Sequence, residues 1–285
     1  MKLYKRAAAL ILTAATLLSL APPVSAEGDR VTISSAKEFY ALVQNCTRDV
    51  WSQRVTVELT ADLDLSGSDF QPIPIFQGTF HGNGHTIRGI TYDHKGSTLG
   101  LFRTLTESAV VEGLCVEGLL EPQGSASQLG LLAGENYGAI RSCSAKGTVS
   151  GQEDVGGLVG VNGETGRIEG SSSQVQISGV TNVGGIAGQN LGTLDRCINT
   201  GALNSDPDQE IPTSVGGIAG LSRGTIQSCS NSGEIGYQHL GYNMGGIVGL
   251  QSGSVLQCSN TGQVWGRKDV GGIVGQFEPN AEVTY

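Results

Sequence analysis

The chain is poor in aromatic and charged residues. Two Trp, six Phe and seven Tyr stand in 285 residues, and Asp, Glu, Lys and Arg together make up 15%, against about a quarter in a typical soluble domain. It contains no HExxH, so it lacks the helix that sets two imidazoles and a base on one face for zinc-peptidase chemistry. It contains no CxxC and no paired His beside a Cys, which leaves no zinc-site pattern. Positive charge is scarce: 17 Lys and Arg stand against 26 Asp and Glu, which disfavours a nucleic-acid partner, since phosphate binding needs a concentrated basic face. Segments of helical period are also scarce, and 44 glycines argue against a helical protein, because each interior Gly costs a helix about 1 kcal/mol relative to Ala. Those glycines have no three-residue period, which excludes collagen. Apolar residues recur regularly while charge is sparse, which argues against disorder. An all-β chain with many tight corners remains.

Residues 1–26 read separately. Lys2, Lys5 and Arg6 form a basic start, Ala7 to Leu20 is uncharged and mostly apolar, and Pro22-Pro23 precedes the small-residue pattern Val24-Ser25-Ala26. This is the pattern of an export signal, too short and wrongly flanked to span a bilayer. Its removal takes three basic residues and no acid, so the net charge moves from −9 to about −12. No later segment is apolar enough to span a membrane as a helix, so the expected location is secreted or at the cell surface.

Self-comparison gives the main signal. Val155-Gly156-Gly157-Leu158-Val159-Gly160 returns at Val183–Gly188, Val215–Gly220, Met244–Gly249 and Val270–Gly275, with a looser copy at Leu129–Gly134. Each copy continues with a polar turn and a second apolar segment (Ile140…Cys143, Ile168…Ser171, Leu194…Cys197, Ile226…Cys229, Val255…Cys258). A third segment ends in Val149, Ile177, Leu203, Ile235 or Val264. One copy is too short to bury a core alone and must stack on its neighbours. Three short strands with Gly or Asn corners predict one turn of a parallel β-helix, with positive φ expected at the glycine pair. Leu158 and Val159 are adjacent and cannot both face inward from a regular strand, so a bulge or bend is expected there. Ser35-Ala36-Lys37-Glu38 is a capping-box pattern opening a short helix whose Phe39, Leu42 and Val43 share a face, expected to cap the first turn.

The VGGIVG hexapeptide, followed by G-x-I-x-x-C and N-x-G, resembles the GLUG motif. That motif occurs in tandem on bacterial surface proteins and in the non-catalytic region of zinc-dependent immunoglobulin A peptidases. The residues that carry the resemblance are the five glycine-pair hexapeptides, Asn136, Asn162 and Asn190, and Cys197-Ile198-Asn199-Thr200-Gly201 with its counterparts at 229–233 and 258–262. Gln77 to Ile87 is similar to the segment that precedes such repeats, with His81 in place of an acid. The copy at 155 departs most, with Ser171, Ser173 and Val175 where others have Cys, Asn and Gly. The resemblance implies a right-handed β-helix with a surface role and no defined reaction. The expected organisation is a signal peptide (1–26), a cap with the first turns (27–98), the repeat β-helix (99–276) and a tail (277–285). No cap pattern appears at the C-terminal end, so that edge is expected to be covered by the tail or met by a partner.

Six cysteines in an exported chain invite a disulfide framework. Cys143, Cys197, Cys229 and Cys258, however, share one repeat offset and are expected to stack as buried thiols; Cys46 and Cys115, outside that column, are the better candidates for a bridge. Asn199, Asn231 and Asn260 form a second expected column, their amides hydrogen-bonded along the stack. His81, His85 and His94 read as turn histidines. Asp62, Asp64, Ser66 and Asp69 read as the solvated face of a strand, because Leu63 and Leu65 alternate with the acids, and less well as a calcium loop. No cofactor or metal is expected.

The segments between the third strand and the next hexapeptide vary most: 150–154, 178–182, 204–214, 236–243 and 265–269. Occupying one corner of successive turns, they are expected to emerge on one flank. They carry the candidate ligand-binding residues Asp206, Asp208, Glu210, Tyr237, His239, Tyr242, Trp265 and Arg267, with Lys268 beside them; aromatic and polar groups on loops suit carbohydrate or protein contact. The leading expectation is an exported, non-catalytic, adhesin-like module that displays this flank to a cell-surface glycan or protein. A polysaccharide lyase or glycosidase of the β-helix class is the alternative, and would need carboxylates meeting at one level, for instance Asp206 or Glu210 facing another acid beside Arg223. A passive spacer is the third reading.

Overall fold

The computed structural model describes residues 30–48 and 50–278; the expected signal peptide and residues 279–285 of the expected tail lie outside them. Successive turns of chain stack into a parallel β-solenoid. One sheet has nine strands, one from each turn; two others have eight and the fourth has six. In the turn that starts at residue 139, the strands are Ala139–Arg141, Ser144–Ser150, Glu153–Gly156 and Val159–Asn162. Each pairs in parallel with its equivalent in the next turn, so that Ile140 lies beside Ile168, Val149 beside Ile177, Val155 beside Val183 and Asn162 beside Asn190.

Two expectations are corrected here. The repeat turns have four strands, because the hexapeptide is divided between two of them, with its corner at Gly157-Leu158. The corner turns the chain between walls, which lets the adjacent Leu158 and Val159 both be fully buried. Positive φ is found one residue before each hexapeptide, at Gln128, Asp154, Asn182, Ser214, Asn243 and Asp269, with values from 54° to 60°. Asn and Asp tolerate this left-handed region better than most residues. The glycine pair serves close approach instead: a Cβ on Gly157, Gly185, Gly217 or Gly246 would collide with the carbonyl of the equivalent glycine in the following turn.

The core is a set of columns. Ile140, Ile168, Leu194 and Ile226 form one; Val149, Ile177, Leu203 and Ile235 form another; all are fully buried. Full burial of such a side chain contributes about 1.5–3 kcal/mol, and here it depends on the turns above and below. In the N-terminal turns Phe76, Phe80 and Phe102 fill the interior, with ring centroids 5.4 to 6.3 Å apart. The first turn is closed by the helix Ala36–Asn45. Ser35 Oγ accepts the Glu38 N–H, and the Glu38 carboxylate accepts from the Ser34 backbone N–H (2.8 Å) and from both Ser34 and Ser35 hydroxyls. These bonds hold the Glu38 carboxyl below its ordinary range, the Ser34 backbone bond first. Phe39, Leu42 and Val43 are buried in the core.

Two columns of asparagine side chains inside the stack are paired along it. Asn136 Nδ2 donates to Asn162 Oδ1, and Asn162 Nδ2 to Asn190 Oδ1, each at 2.8 Å; Asn190 Nδ2 then reaches Ser222 Oγ at 3.1 Å. A second ladder runs Asn199 to Asn231 to Asn260, again at 2.8 Å per rung. Each of these three amides also clamps its own corner: Asn231 accepts from the Gly233 N–H and donates to the Gly233 carbonyl. In the preceding turn the equivalent position is Ser173, beside Asn199 in register.

Asn231 sits mid-ladder and buried, whereas Asn260 is half-buried in the last turn. Asn231→Ala is therefore expected to lower unfolding stability by about 1–3 kcal/mol, the range for orphaning buried partners, and Asn260→Ala by less. Urea denaturation midpoints measure both; equal losses would mean that the ladder does not couple the turns.

Candidate functional site: the variable flank

The inserts do emerge along one edge. On one side the third segments are joined by bridges from Ile177 to Leu203, Ile235 and Val264. On the other, the six-stranded sheet begins with the aligned residues Ser127, Glu153, Thr181, Thr213, Tyr242 and Lys268. The loops span the gap between these two rows.

The structure brings part of the candidate set together. The Arg267 guanidinium lies 5.9 Å from the centroid of the Tyr242 ring, within cation–π range. Trp265 Nε1 donates to Glu234 Oε1 at 3.1 Å, and the Trp265 N–H holds the Ile235 carbonyl at 2.8 Å. Tyr237 is 41% exposed, and His239 stands two residues on, exposed, with φ of 62°. The acidic loop is built differently. Asp206 Oδ1 accepts the Asp208 N–H at 2.9 Å, and buried Asn204 donates to the Gly179 carbonyl and to Gln209 Oε1. Glu210 lines a groove with Ser150, Gly151, Gln152, Ser178 and Gln209. Arg223 is taken by Glu278, with contacts of 2.8 and 3.2 Å. The acid pair beside Arg223 that the enzyme alternative called for is therefore not what Arg223 engages.

A second constellation escapes sequence reading. One face of the nine-stranded sheet aligns Glu58, His81, Glu112, Arg141, Glu169 and Asp195 in successive turns. His81 is corrected here: it ends the strand Thr79–His81, with its Nδ1 2.7 Å from Glu112 Oε1. Arg196 contacts Glu169 and lies 2.8 Å from Asp195 Oδ2, with Arg167 at 3.6 Å from the same oxygen. Asp195 is almost fully buried, and its Oδ1 has no hydrogen-bond partner. The signal was available at the fixed position two residues before the cysteine column, but only register turns it into a row.

The remaining polar candidates have local partners. His85 Nδ1 is 3.2 Å from Asp62, His94 Nδ1 is 3.3 Å from Asp93, and Asp62 accepts the Thr86 N–H. Asp64 accepts from Ser66 and from Arg88, which draws its carboxyl down to about 2. Among the described residues, no group of three or more His, Cys, Asp or Glu is placed to hold a metal ion. All six cysteines are free, Cys46 and Cys115 included. Cys143, Cys197 and Cys229 are buried and Cys258 partly so; Ser171 takes the cysteine's place in its turn and accepts the Cys143 N–H at 3.1 Å.

Burial drives the Cys46 and Cys143 thiols up to about 12. Because their folded values are raised, the stability they contribute is complete below the ordinary thiol range and falls as pH climbs through it. In native protein at pH 8, a thiol reagent is expected to modify Cys115, which is partly exposed, well before Cys46 or Cys143. Mass spectrometry of partially labelled protein reads the order, and early labelling of Cys143 would contradict the packing described.

Comparison with known proteins agrees with this architecture. The GLUG motif matches residues 125–150 and 151–178. Halomucin of Haloquadratum walsbyi is 32% identical over 141 residues, covering 45% of this chain and 2% of halomucin. A Gly-rich membrane protein of Evansella cellulosilytica is 33% identical over 96 residues, covering 32% of this chain and 11% of that protein. The chain thus spans a small part of either relative. A crystal structure of an immunoglobulin A1 protease candidate from Bacteroides ovatus shares the fold, with a TM-score of 0.57 at 19% identity over 90% of this chain and 79% of that one. The chain therefore carries the GLUG motif at two consecutive repeats of a parallel β-solenoid.

Proposed function

We propose that this chain is an exported, non-catalytic surface module that presents the variable flank to a cell-surface glycan or protein. The observation that carries the reading is the concentration of Tyr237, Tyr242, Trp265 and Arg267 on one edge of a rigid stack. Tyr and Trp offer broad apolar faces with a polar handle, and loops held by a stiff scaffold are where binding residues concentrate. The resemblance to a membrane protein and to halomucin fits a surface setting, as does the export pattern of residues 1–26.

One observation favours a polysaccharide-cleaving alternative: Glu169 and Asp195 are neighbours in register. Acid catalysis on a glycosidic bond needs two carboxyls free to hold a proton and to face the sugar. Here Arg196 contacts both carboxylates, which makes the pair an ion-pair network and supports the binding reading over the catalytic one.

A screen of the protein against glycans and surface proteins is expected to yield a ligand whose binding is lost when Tyr237, Tyr242 and Trp265 are replaced together by Ala, with the melting temperature little changed. Undiminished binding or cell attachment by that variant would leave the solenoid a spacer. Glycan cleavage abolished by Glu169→Gln would establish the enzyme reading instead.

A further inference from the structure

The outer face of the nine-stranded sheet carries one unmatched charge. In the row from Glu58 to Asp195, successive turns supply one polar group each, and all but one are committed to a neighbour. Glu58 is held by Arg30 at 3.0 Å and by Asn83 Nδ2 at 2.9 Å. Glu112 Oε1 lies 2.7 Å from His81 Nδ1. Glu169 and Asp195 are both engaged by Arg196 and Arg167. Arg141 stands in register between Glu112 and Glu169, whose carboxylates are thus already taken. It is exposed, and its guanidinium has no hydrogen-bond or ion-pair partner among the described residues. The corner beside it is open. Arg141 and Ser142 line a cleft of about 380 Å³ together with His81, Asn83, Glu112 and Gly113, within the range of ligand clefts, about 300–1,000 Å³. Gly113 holds the corner position equivalent to Ser142: its N–H donates to the Arg141 carbonyl as the Ser142 N–H donates to that of Glu169. With φ of 62° and no side chain, Gly113 leaves the cleft clear.

From this arrangement we infer that the cleft is a binding site for a carboxylate-bearing sugar, a uronic acid unit, separate from the variable flank. A planar carboxylate matches the parallel N–H donors of a guanidinium fork, so an arginine left over among committed acids is a seat for one carboxylate. The surroundings select its charge. Glu58, Glu112 and Glu169 stand within two strands of Arg141 and repel a phosphate dianion more strongly than a monoanion. The rest of the lining selects hydroxyl groups. His81 engages one oxygen of Glu112, which leaves the other to accept from a sugar hydroxyl, and the Ser142 hydroxyl both donates and accepts. The described residues of the lining include no aliphatic side chain, which suits the polar edge of a sugar ring and not an apolar group. The cleft lies at the corner that follows the nine-stranded sheet, whereas the flank lies at the corner that follows the third segments.

NMR titration of the protein, following the Arg141 Nε–H resonance, tests this with glucuronate, galacturonate, methyl glucoside, acetate, glycine and inorganic sulfate as probes. The two uronates are expected to shift the resonance saturably. Acetate, glycine and sulfate should need concentrations about tenfold higher or more, the loss expected when the sugar's hydrogen bonds are missing, and methyl glucoside should leave the resonance in place. Arg141→Gln should weaken uronate binding about tenfold or more, and Arg141→Lys by less, with melting unchanged in both because Arg141 has no partner to lose. Replacing Tyr237, Tyr242 and Trp265 together by Ala should leave uronate affinity as it was, which separates this site from the flank. Failure of both uronates to shift the resonance overturns the inference, as does uronate binding that Arg141→Gln leaves intact or that the flank variant abolishes. Acetate, glycine or sulfate binding as tightly as the uronates would overturn the sugar assignment.

Discussion

Parallel hydrogen bonding between each turn and the next is the constraint from which the other features descend. A turn of this chain has about six apolar side chains and no interior of its own, so its hydrophobic gain exists only when another turn lies over it in register. Register is what sets Ile168 over Ile140 and under Leu194, and an offset would move whole rows between interior and solvent. The glycine pair belongs to the same constraint, because the walls meet at a corner where backbones approach too closely for a side chain. The left-handed residue just before it turns the chain into that corner, and the asparagine ladders fix spacing where the backbone leaves its strand.

That constraint also sorts the molecule into parts that can vary and parts that cannot. Inside, each position is bounded by a neighbour above and below, so changes are felt two turns at a time. At the corner between the third segments and the six-stranded sheet, the chain leaves the stack and returns. Loops there lengthen from five residues to eleven without disturbing either row. Within the repeats at 129–276, these loops carry Tyr237, Tyr242 and Trp265, and of the aromatic residues only Tyr137 lies elsewhere. The proposed display surface rests on this division of labour.

Much of the architecture was legible from repetition. The hexapeptides, the cysteine offset and the capping box specify a stacked solenoid with a helix at one end, because each reports a local rule or a fixed period. The corner inside the hexapeptide was legible only as a contradiction: Leu158 and Val159 could not both face inward from one strand, and the structure resolves this by using two. The left-handed positions were misplaced on the glycines because Gly is the easiest residue to put there, whereas Asp154, Asn182 and Asn243 take it up. The row from Glu58 to Asp195 was not legible, since its members come from six turns with differing loop lengths. Of the flank, the sequence showed which residues share an edge. It did not show that Arg267 lies against Tyr242 or that Arg223 is held by Glu278, which depend on side-chain packing between turns.

The most direct test of the stacking is methyl NMR on the column formed by Ile140, Ile168, Leu194 and Ile226. Turns spaced by about 4.8 Å should give strong cross-relaxation between Ile168 and Leu194 and between Leu194 and Ile226, with little between Ile168 and Ile226, two turns apart. Contacts confined within single copies, with none linking Leu194 to its neighbours in the column, would contradict the account.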